Sequence, residues 1–328
     1  MQIAVIGAGL IGKKRIEALP KNIKVKTVCD VNENLGKCLA ESCCACHETN
    51  YKKVMRNKEI EAVIIATTNN CLASIGVEAI KNGKHVLLEK PGARNPKEFL
   101  KLIEAQKNKP IVVRIGYNHR YHLAIAKAKE IVDSKKYGKI MFIRAKYGHG
   151  ARLGYENEWR FEPKIAGGGE LLDQGCHLID LANFYIGELE TAIGFSEKMF
   201  WSKKLEDNAF FLLKNKKGQI AHFSASCTEW KNIFVFEIML EKAKIQINGL
   251  GRSYGKETIT LYKMKPEMGP PDIEEIDFSE EDVSWKLENQ EFFNAIKNKN
   301  YSNKKLMEGY YAISKVFDVY KFSKKYSN

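Results

Sequence analysis

Lys90, Asp173 and His177 have side chains that could move a proton and hold negative charge on a substrate oxygen. His177 follows Asp173 by four residues, so the two side chains share one face if this segment is an α-helix. A histidine oriented by a nearby carboxylate is a candidate general base. Lys90 stands in a Glu-Lys-Pro triplet at residues 89–91, where its ammonium group could stabilise an alkoxide. Taken singly, the histidine could instead be an ordinary core residue and the lysine a solvated strand end.

A glycine-rich turn has the pattern G-x-G-x-x-G and directly follows the short apolar run at residues 2–6. The first glycine permits a tight turn, the second lets a pyrophosphate approach the backbone, and the third lets the following helix pack on the strand. A helix that begins here would direct its positive end at the phosphates. The turn therefore predicts a dinucleotide site. The candidate cofactor contacts are Gly7, Gly9, Leu10, Ile11 and Gly12.

Asp30 bears on the choice of nicotinamide cofactor. It ends the second predicted strand, where a carboxylate can accept hydrogen bonds from the ribose hydroxyls of the adenosine. The same carboxylate would repel a 2′-phosphate, and residues 31–33 include no arginine to bind one. Lys37 is the nearest cation that could favour a phosphorylated cofactor. We therefore predict NAD rather than NADP.

The elements that must position these side chains alternate in the first third of the chain. Strands are predicted at 2–6, 23–29, 62–66, 85–88 and 111–115, and helices at 10–19, 33–44 and 71–82. This alternation indicates a parallel sheet wrapped by helices, an α/β architecture that binds ligands at the carboxyl ends of its strands. Lys90 then follows a strand end, where it would point into the cleft.

The pattern changes after about residue 117. Helices are predicted at 122–135, 170–186, 284–298 and 303–324, and strands at 139–147, 209–214, 219–226, 233–240, 244–248 and 257–262. Consecutive strands with short turns favour a mostly antiparallel sheet. The stretch 263–283, which contains three prolines and an acidic cluster, is predicted to be an exposed loop. The sequence therefore predicts an α+β second domain.

Composition excludes several classes of protein. A chain of 328 residues with 44% apolar and 28% charged residues is typical of a folded protein of about two domains. The net charge of +13 combines +15 in residues 1–150 with −2 in the remainder. The excess is spread as single lysines without a nucleic-acid motif, so we expect no nucleic-acid partner. No apolar stretch approaches the roughly 18 residues of a membrane span and no signal peptide is evident, so we expect a cytoplasmic protein without a membrane partner.

Four of the eight cysteines are crowded in one segment, at Cys38, Cys43, Cys44 and Cys46. Their spacing is not that of a disulfide framework, so we interpret them as reduced thiols. With His47 they could suggest zinc, but zinc sites usually draw ligand pairs from two separated segments. We therefore predict no metal and a packed helix end.

Five segments together resemble the Gfo/Idh/MocA family of nicotinamide-dependent sugar and polyol oxidoreductases. They are 7–12, 66–70, 83–91, 117–121 and 167–177, and they follow one another in the order expected of that family. The resemblance implies a Rossmann dinucleotide-binding domain, placed here at 1–117. It also implies a substrate-binding domain with a large open sheet, placed at 118–328, whose last helix packs back on the first domain. Members often oligomerise through that sheet, so a homodimer or homotetramer is expected.

The resemblance also assigns roles. It implies that Lys90, Asp173 and His177 are catalytic, with His177 removing the hydroxyl proton while hydride passes to the nicotinamide. Lys90 and His177 would then converge on one alcohol. It implies further cofactor contacts at Thr67, Thr68, Asn69, Glu89 and Lys90. Asn70 departs from the family, many members of which have histidine there.

The stretch 147–160 precedes the catalytic segment and combines arginines with aromatic residues, which can clamp phosphate and stack on a flat ring. It resembles that of members linked to surface-polysaccharide and nucleotide-sugar metabolism. A solvated loop with a packed tryptophan is the alternative interpretation. The candidate substrate contacts are Asn118, Arg120, Arg152, Tyr155, Trp159 and Arg160.

We therefore predict an NAD-dependent dehydrogenase that acts on a secondary hydroxyl of a sugar, preferably a nucleotide-linked sugar. An inositol or free-sugar and polyol dehydrogenase is the alternative within the same chemistry. A non-catalytic regulator that binds NAD and sugar is the alternative of another class. The presence of both Lys90 and His177 favours an enzyme, because a sensor needs neither.

Overall fold

The chain divides into two compact units. The computed structural model describes residues 1–201, 204–278 and 280–326. The first unit comprises Met1–Tyr117, Lys164–Gly167 and Trp285–Tyr310, and the second comprises Asn118–Pro163, Gly168–Ser284 and Tyr311–Asn328. Residues 327 and 328, which end the predicted second domain, lie outside the described residues. Among the helices of the described ranges, none has the length and apolar character that a membrane crossing requires.

Both strands and helices are short to moderate in length. The strands are β1 (Gln2–Ile6), β2 (Lys24–Cys29), β3 (Cys46–Glu48), β4 (Ala62–Ile65), β5 (His85–Glu89), β6 (Val113–Gly116), β7 (Ile140–Gly148), β8 (Thr191–Glu197), β9 (Asn208–Lys214), β10 (Ile220–Ser226), β11 (Ile233–Leu240), β12 (Ala243–Asn248), β13 (Thr258–Lys263) and β14 (Asp272–Asp277). The α-helices are α1 (Leu10–Glu17), α2 (Glu33–Ser42), α3 (Tyr51–Arg56), α4 (Asn69–Lys81), α5 (Pro96–Gln106), α6 (Leu123–Asp133), α7 (Pro163–Ala166), α8 (Cys176–Ile186), α9 (Ser284–Lys297) and α10 (Lys304–Tyr326).

The first unit contains a six-stranded parallel sheet in the order β3-β2-β1-β4-β5-β6. Its central strands are buried on both faces, as the apolar runs predict. One face packs in a core with α9, where Phe292 meets Ile3, Ile64 and Leu87. The strand order reverses between β1 and β4, and such a switch point is where doubly wound sheets bind their ligands. The predicted Rossmann-type sheet is confirmed.

The second unit contains an eight-stranded sheet in the order β14-β13-β12-β11-β7-β10-β9-β8. Only β7 and β10 pair in parallel among its neighbouring strands in the described residues, so the predicted, mostly antiparallel sheet is confirmed. Its inner face carries a row of buried aromatic residues, Phe211, Phe223, Phe234 and Phe236. Buried leucine and isoleucine side chains of α8, which contacts β7, complete the apolar interior of this unit.

The loop prediction for residues 263–283 is wrong at 272–277, because β14 pairs there with β13 in antiparallel register. All six of its residues are exposed. An edge strand needs no buried face, and acidic side chains protect such an edge from further pairing, so the apolar alternation that marks other strands is absent. Ser279, which belongs to the same predicted loop, lies outside the described residues. Five other elements of the described residues, β3, α3, α5, α7 and β8, have no counterpart in the prediction.

The helix predicted at 170–186 is not uniform. Residues Leu171–Gly175 form a π-helical turn, and α8 begins only at Cys176. A π turn bonds i to i+5 and inserts one residue more than an α turn. Asp173 lies within the π turn and His177 lies in α8, so the regular α-helical spacing expected between them is not met.

Candidate functional site

The three glycines of the turn at residues 7–12 differ in their surroundings. Gly7 has a φ of +102°, and a Cβ there would collide with the carbonyl of Ala66. A Cβ on Gly12 would collide with the carbonyl of Gly7, whereas a Cβ on Gly9 would meet nothing within 4 Å. Gly9 is also the N-cap of α1 and provides no side chain to its amides. Open space beside uncapped helix amides fits the pyrophosphate of a dinucleotide.

Leu10 and Ile11 form the first turn of α1, so their backbone N–H groups belong to this uncapped helix end. The side chain of Leu10 is 71% exposed, although it is large and apolar. Both residues therefore contribute to the candidate phosphate site through the backbone.

Asp30 closes the glycine turn from the end of β2. Its Oδ2 accepts a hydrogen bond from the backbone N–H of Ala8 at 2.6 Å, and its Oδ1 accepts one from Asn32 at 2.8 Å. Lys37, the cation that could have favoured a 2′-phosphate, forms an ion pair with Glu33 at 2.7 Å. The local charges therefore favour a ribose with free hydroxyls beside Asp30.

The end of β4 leads into α4 through a threonine pair. Thr68 is the N-cap of α4, and its hydroxyl donates to Oδ1 of Asn70 at 2.7 Å. The side-chain amide of Asn69 is buried and donates to the carbonyl of Ala166 at 2.9 Å. Thr67 and Thr68 are partly exposed and stay candidates for cofactor contacts. Asn69 instead holds the segment 164–167 in place, so a cofactor contact there would have to come from its backbone.

A buried ion network surrounds Glu89. Arg15 of α1 is fully buried and donates from Nε to Oε1 of Glu89 at 2.6 Å. The same guanidinium pairs with Glu288 at 2.7 Å, donates to Asn289 at 3.1 Å and lies 4.6 Å from the ring centre of Trp285. The Glu89 carboxylate therefore ties the end of β5 to α1 and α9. This buried engagement favours a structural role over the predicted cofactor contact.

Lys90 directly follows this network at the carboxyl end of β5. Its side chain is partly exposed, and its peptide bond to Pro91 is cis. Lys90 therefore lies at the carboxyl edge of the parallel sheet, where doubly wound sheets bind their ligands, as its sequence position predicts. Its catalytic role stays a prediction.

In the second unit, His177 lies within a buried cluster of rings. Its imidazole stacks on that of His119 with centroids 3.7 Å apart and planes at 17°. Tyr147 stands edge-on, 5.2 Å from His119 and 6.2 Å from His177, and Tyr254 lies 4.9 Å from Tyr147. Burial raises the pKa of Tyr147 well above its usual value, and the neighbouring Tyr254 adds to this. The phenol therefore stays protonated at neutral pH.

Asp173 lies in the π turn and is partly exposed. Nε of Arg160 approaches its Oδ2 to 3.7 Å, so the structure brings one predicted substrate residue to one predicted catalytic residue. Glu170, three residues earlier, is buried, and its Oε1 lies 3.4 Å from Nε2 of His149. Two carboxylates, an arginine and the ring cluster thus form one polar centre in this unit.

Two of the predicted substrate-binding residues, Arg120 and Asn118, are hydrogen-bonded to other residues of the protein. Arg120 is buried and forms a two-pronged ion pair with Asp180, at 2.7 Å through Nε and 2.6 Å through Nη2. Asn118 is also buried and donates to the Ser284 hydroxyl at 3.0 Å. These contacts fix the segment that carries His119. We therefore assign both residues a structural role in place of substrate binding.

The residues of the predicted phosphate clamp converge only in part: Arg152 and Arg160 share the carboxylate of Glu158 through separate oxygens, and Arg152 lies 5.9 Å from the ring centre of Tyr155. The side chain of Arg152 is 73% exposed and pairs with Glu158. Tyr155 is buried against Phe161, and burial raises the pKa of its phenol. The guanidinium of Arg160 lies 4.8 Å from the ring centre of Trp159. Of this group, Trp159 and Arg160 stay candidates for a substrate contact beside Asp173. Tyr155 is instead part of the apolar support.

Sequence reasoning missed His119, Tyr147, Tyr254 and Glu170 as members of the site. Three of them stand in segments already singled out for other residues: His119 in 117–121, Tyr147 in 147–160 and Glu170 in 167–177. The alternation along β7 puts Tyr147 on the buried face, which was a usable signal. Tyr254 lies in a connection between strands and carries no such signal.

The eight cysteines are free thiols. Cys43 ends α2 and is partly buried, whereas Cys38, Cys44 and Cys46 are exposed. The packed helix end that we expected therefore holds for Cys43 alone. Across the described ranges, no group of three or more His, Cys, Asp or Glu residues is arranged to hold a metal ion.

Two family models match the chain. The model described as "Oxidoreductase family, NAD-binding Rossmann fold" matches residues 1–117. The model described as "GFO/IDH/MocA C-terminal domain" matches residues 125–246.

Curated relatives have lower coverage. Levoglucosan dehydrogenase of Pseudarthrobacter phenanthrenivorans is 30% identical over 204 residues, which are 57% of this chain and 52% of that protein. Inositol 2-dehydrogenase of Salmonella typhimurium is 28% identical over 153 residues, which are 45% of this chain and 46% of that protein. The chain thus spans about half the length of the curated relatives it matches.

A solved structure of levoglucosan dehydrogenase in complex with NADH and levoglucosan has a TM-score of 0.90 at 22% identity and covers 100% of this chain and 98% of its own. A 3-ketoreductase from Actinomadura kijaniata, in complex with NADP and TDP-benzene, has a TM-score of 0.82 at 17% identity and covers 98% and 97%. At these identities the likeness is one of fold. The two family models, which together span most of the chain, show that the chain belongs to the GFO/IDH/MocA oxidoreductase family and that residues 1–117 form an NAD-binding Rossmann domain.

Proposed function

We propose that this protein is an NAD-dependent dehydrogenase that oxidises a secondary hydroxyl of a free sugar or polyol, or reduces the corresponding ketone. The observation that carries the proposal is the buried ring cluster around His177, with Asp173 and Arg160 beside it in the same unit. A binding module would need neither a buried imidazole stack nor a carboxylate next to it. A dehydrogenase also needs a bound hydride acceptor, and the NAD-binding domain would supply it.

Each proposed catalytic residue has one task. NAD, when bound, supplies the hydride acceptor for the carbon that bears the hydroxyl. His177 accepts the hydroxyl proton as that carbon becomes a carbonyl. Asp173 orients the hydroxyl, and Lys90 stabilises the negative charge that develops on its oxygen. Tyr147, protonated at neutral pH, packs beside the imidazole stack with its ring inclined to both imidazoles.

The proposed cofactor preference is NAD over NADP. Asp30 presents a carboxylate at the end of β2, and Lys37 is paired with Glu33. A 2′-phosphate placed beside Asp30 would meet a like charge without a free cation close by in α2.

The proposed substrate class changes with the structure. A nucleotide-linked sugar carries a diphosphate and needs a cluster of basic residues to bind it. Arg120 pairs with Asp180, and Arg152 and Arg160 share Glu158, with Arg160 also near Asp173, so the charge of each arginine is already balanced by a carboxylate. We therefore prefer a neutral sugar or polyol, the class named for levoglucosan and inositol dehydrogenases among the relatives. The exposed Arg152 keeps a nucleotide-linked sugar as the second candidate.

We also propose that copies of the chain assemble through the outer sheet face, defined as the exposed side chains Phe142, Phe195, Phe210, Leu212 and Ile220. Phe210 pairs in register with Phe195, and Ile220 pairs with Phe142. An apolar face of this kind on an open sheet is typical of a protein interface. A homodimer or homotetramer in the cytoplasm fits this face, and the reducing cytoplasm suits the exposed thiols.

The experiment is a substrate panel with cofactor-stripped protein. Levoglucosan, free hexoses, inositols and UDP-sugars are each offered with NAD and with NADP, and reduced nicotinamide is followed by its absorbance. We expect turnover with a neutral sugar or polyol and with NAD. Turnover confined to UDP-sugars would select the second candidate. Sugar binding without turnover on any compound would identify a regulator and reject the enzyme.

A further inference from the structure

The helical segment that carries Asp173 and His177 begins without a cap of its own. It starts after three consecutive glycines, and the side chain of its N-cap residue, Glu170, makes no capping hydrogen bond. The first backbone amides of a helix have no intrahelical acceptor and must find one elsewhere. In this segment those amides lie at the start of the π turn. The group that accepts their hydrogen bonds therefore fixes the position of the turn.

Glu206 and Tyr320 supply that acceptor from elsewhere in the same unit. Oε1 of Glu206 accepts the N–H of Gly169 at 3.0 Å and the N–H of Leu171 at 3.3 Å. The Tyr320 hydroxyl donates to the same oxygen. Glu206 thus acts as an N-cap that is not part of the helix.

Two of the three glycines are required by this contact. A Cβ on Gly169 would collide with the carbonyl oxygen of Glu206, and one on Gly168 would collide with the Tyr320 hydroxyl. The backbone of Glu206 is bound as well, because its carbonyl accepts the N–H of Glu170 at 3.2 Å. Gly168 and Gly169 therefore allow Tyr320 and Glu206 to approach the main chain at the start of the helix.

We propose that Glu206, supported by Tyr320, is a positioning residue for the dehydrogenase reaction: it fixes the start of the π turn and so holds Asp173 and His177 in their reactive placement. This inference rests on the proposed function. Glu206 and Tyr320 hold the helix start without contacting the ring cluster around His177. Both therefore act through the backbone of 169–172. When this cap is removed, we expect the apolar contacts to keep the helix folded. The helix is then free to shift by part of a turn.

Three substitutions grade the effect. Glu206→Gln keeps an acceptor oxygen and removes the charge, and Tyr320→Phe removes one donor, so each should lower kcat by about threefold. Glu206→Ala removes the cap and should lower kcat by about tenfold or more. NADH affinity should stay unchanged in all three, because the NAD-binding unit is not part of this cluster. A purely structural role would instead lower the folded fraction and leave kcat per folded molecule unchanged.

Asp207→Asn is the matched control. Asp207 is the next residue, and its carboxylate also accepts backbone N–H bonds, from Met199, Phe200 and Trp201 at 2.6–2.8 Å. Its substitution should loosen that loop and leave kcat close to the wild-type value, because none of its partners belongs to the π turn. The comparison separates loss of a cap at the catalytic segment from loss of any buried carboxylate.

Hydrogen exchange of the intact protein gives a readout that does not depend on turnover. Peptides that cover 169–177 should exchange faster in Glu206→Ala than in the wild type, and should be unchanged in Asp207→Asn. Faster exchange together with the graded fall in kcat supports the proposal. Unchanged exchange in Glu206→Ala, or changed exchange with unchanged kcat, overturns it. If the wild type turns over no sugar, the proposed function fails, while the exchange data still show whether Glu206 holds the segment.

Discussion

At the scale of single residues, the glycine turn separates a folding requirement from a binding requirement. Gly12→Ala should place a Cβ against the carbonyl of Gly7, lower the free energy of unfolding by about 2 kcal/mol or more, and abolish NADH binding. Gly9→Ala meets open space and has an ordinary φ of −71°, so the protein should keep its melting temperature. Its methyl group would occupy the space of the pyrophosphate, so NADH affinity should fall by about tenfold.

Fluorescence titration of NADH and thermal denaturation, run on both variants, check these two expectations. The pair is matched because each change adds one methyl group to the same turn. Wild-type NADH affinity in Gly9→Ala would mean that the dinucleotide does not pass over this turn.

A second prediction at this scale concerns Asp30 and the preference for NAD over NADP. Asp30→Ala removes the like charge that a 2′-phosphate would meet, so the ratio of kcat/KM for NAD to that for NADP should fall by about tenfold. Lys37→Ala is the control and should leave the ratio nearly unchanged, because Lys37 already pairs with Glu33. Steady-state kinetics with both cofactors measure the ratio. An unaltered ratio in Asp30→Ala would remove the argument for NAD.

Residue identities at the site could be predicted only where they follow a motif. Asp173 and His177 stand in one short pattern, so sequence alone singles them out. The stack of His119 on His177 joins residues 58 positions apart and has no local signature. Arg120 and Glu89 show a second limit: their residue types suit ligand binding, but each is paired with a buried partner distant in sequence, Asp180 and Arg15, that no motif reveals.

At the scale of elements, the ionisation of Glu206 gives a pH-dependent stability. Burial raises the pKa of Glu206 to about 7, even though hydrogen bonds from Tyr320 and the backbone of 169–171 favour the charged form. The folded pKa thus lies above the ordinary value of 4.5. The stability that the protonated Glu206 carboxyl contributes is complete below pH 4.5. It is lost as the pH rises to about 7. Above that pH a buried charge remains.

Glu206→Gln should therefore gain stability relative to the wild type as the pH rises from 5 to 8, by up to about 3 kcal/mol. Denaturant unfolding at several pH values measures the difference. In Asp207→Asn the difference should stay flat over this range, because hydrogen bonds from the backbone of 199–201 outweigh burial and hold the pKa of Asp207 below its ordinary value. A flat difference for Glu206→Gln as well would show that Glu206 titrates as an ordinary carboxyl.

Elements were predictable where burial leaves a period in the sequence. The buried strands β1, β4 and β5 are apolar runs, and their helices follow with a different period. β14 has no buried face and therefore no period, so it was taken for a loop. The π turn at Leu171–Gly175 keeps apolar neighbours on both sides, and a single inserted residue is too small a change for the pattern to reveal.

At the scale of the whole molecule, the outer sheet face is the feature that a single chain leaves unexplained. Exchanging Phe210 and Leu212 together for glutamate should convert an oligomer into a monomer, because it places charges on the two central apolar positions of β9. Light scattering after size-exclusion chromatography measures the mass. Met268→Glu is the control, since Met268 is 89% exposed but lies outside this face. A wild type that is monomeric at all concentrations would refute the assembly.

The same scale shows why the substrate was harder to predict than the fold. Sheet order and the glycine turn follow from periodicity and from motifs that many residues share. Substrate class depends on whether a few arginines are engaged, and the pairing of Arg152 with Glu158 or of Arg160 with Asp173 appears only in three dimensions.

The central claim is that His177 takes the hydroxyl proton during hydride transfer. Its most direct test is a single-turnover experiment with saturating NAD and the sugar or polyol selected by the panel. The formation of reduced nicotinamide is compared between the wild type and His177→Asn. We expect NADH affinity to be equal and the transfer rate of His177→Asn to fall by about 100-fold or more, with partial recovery at high pH as the hydroxyl ionises unaided. An equal transfer rate in the two proteins at neutral pH would contradict the account.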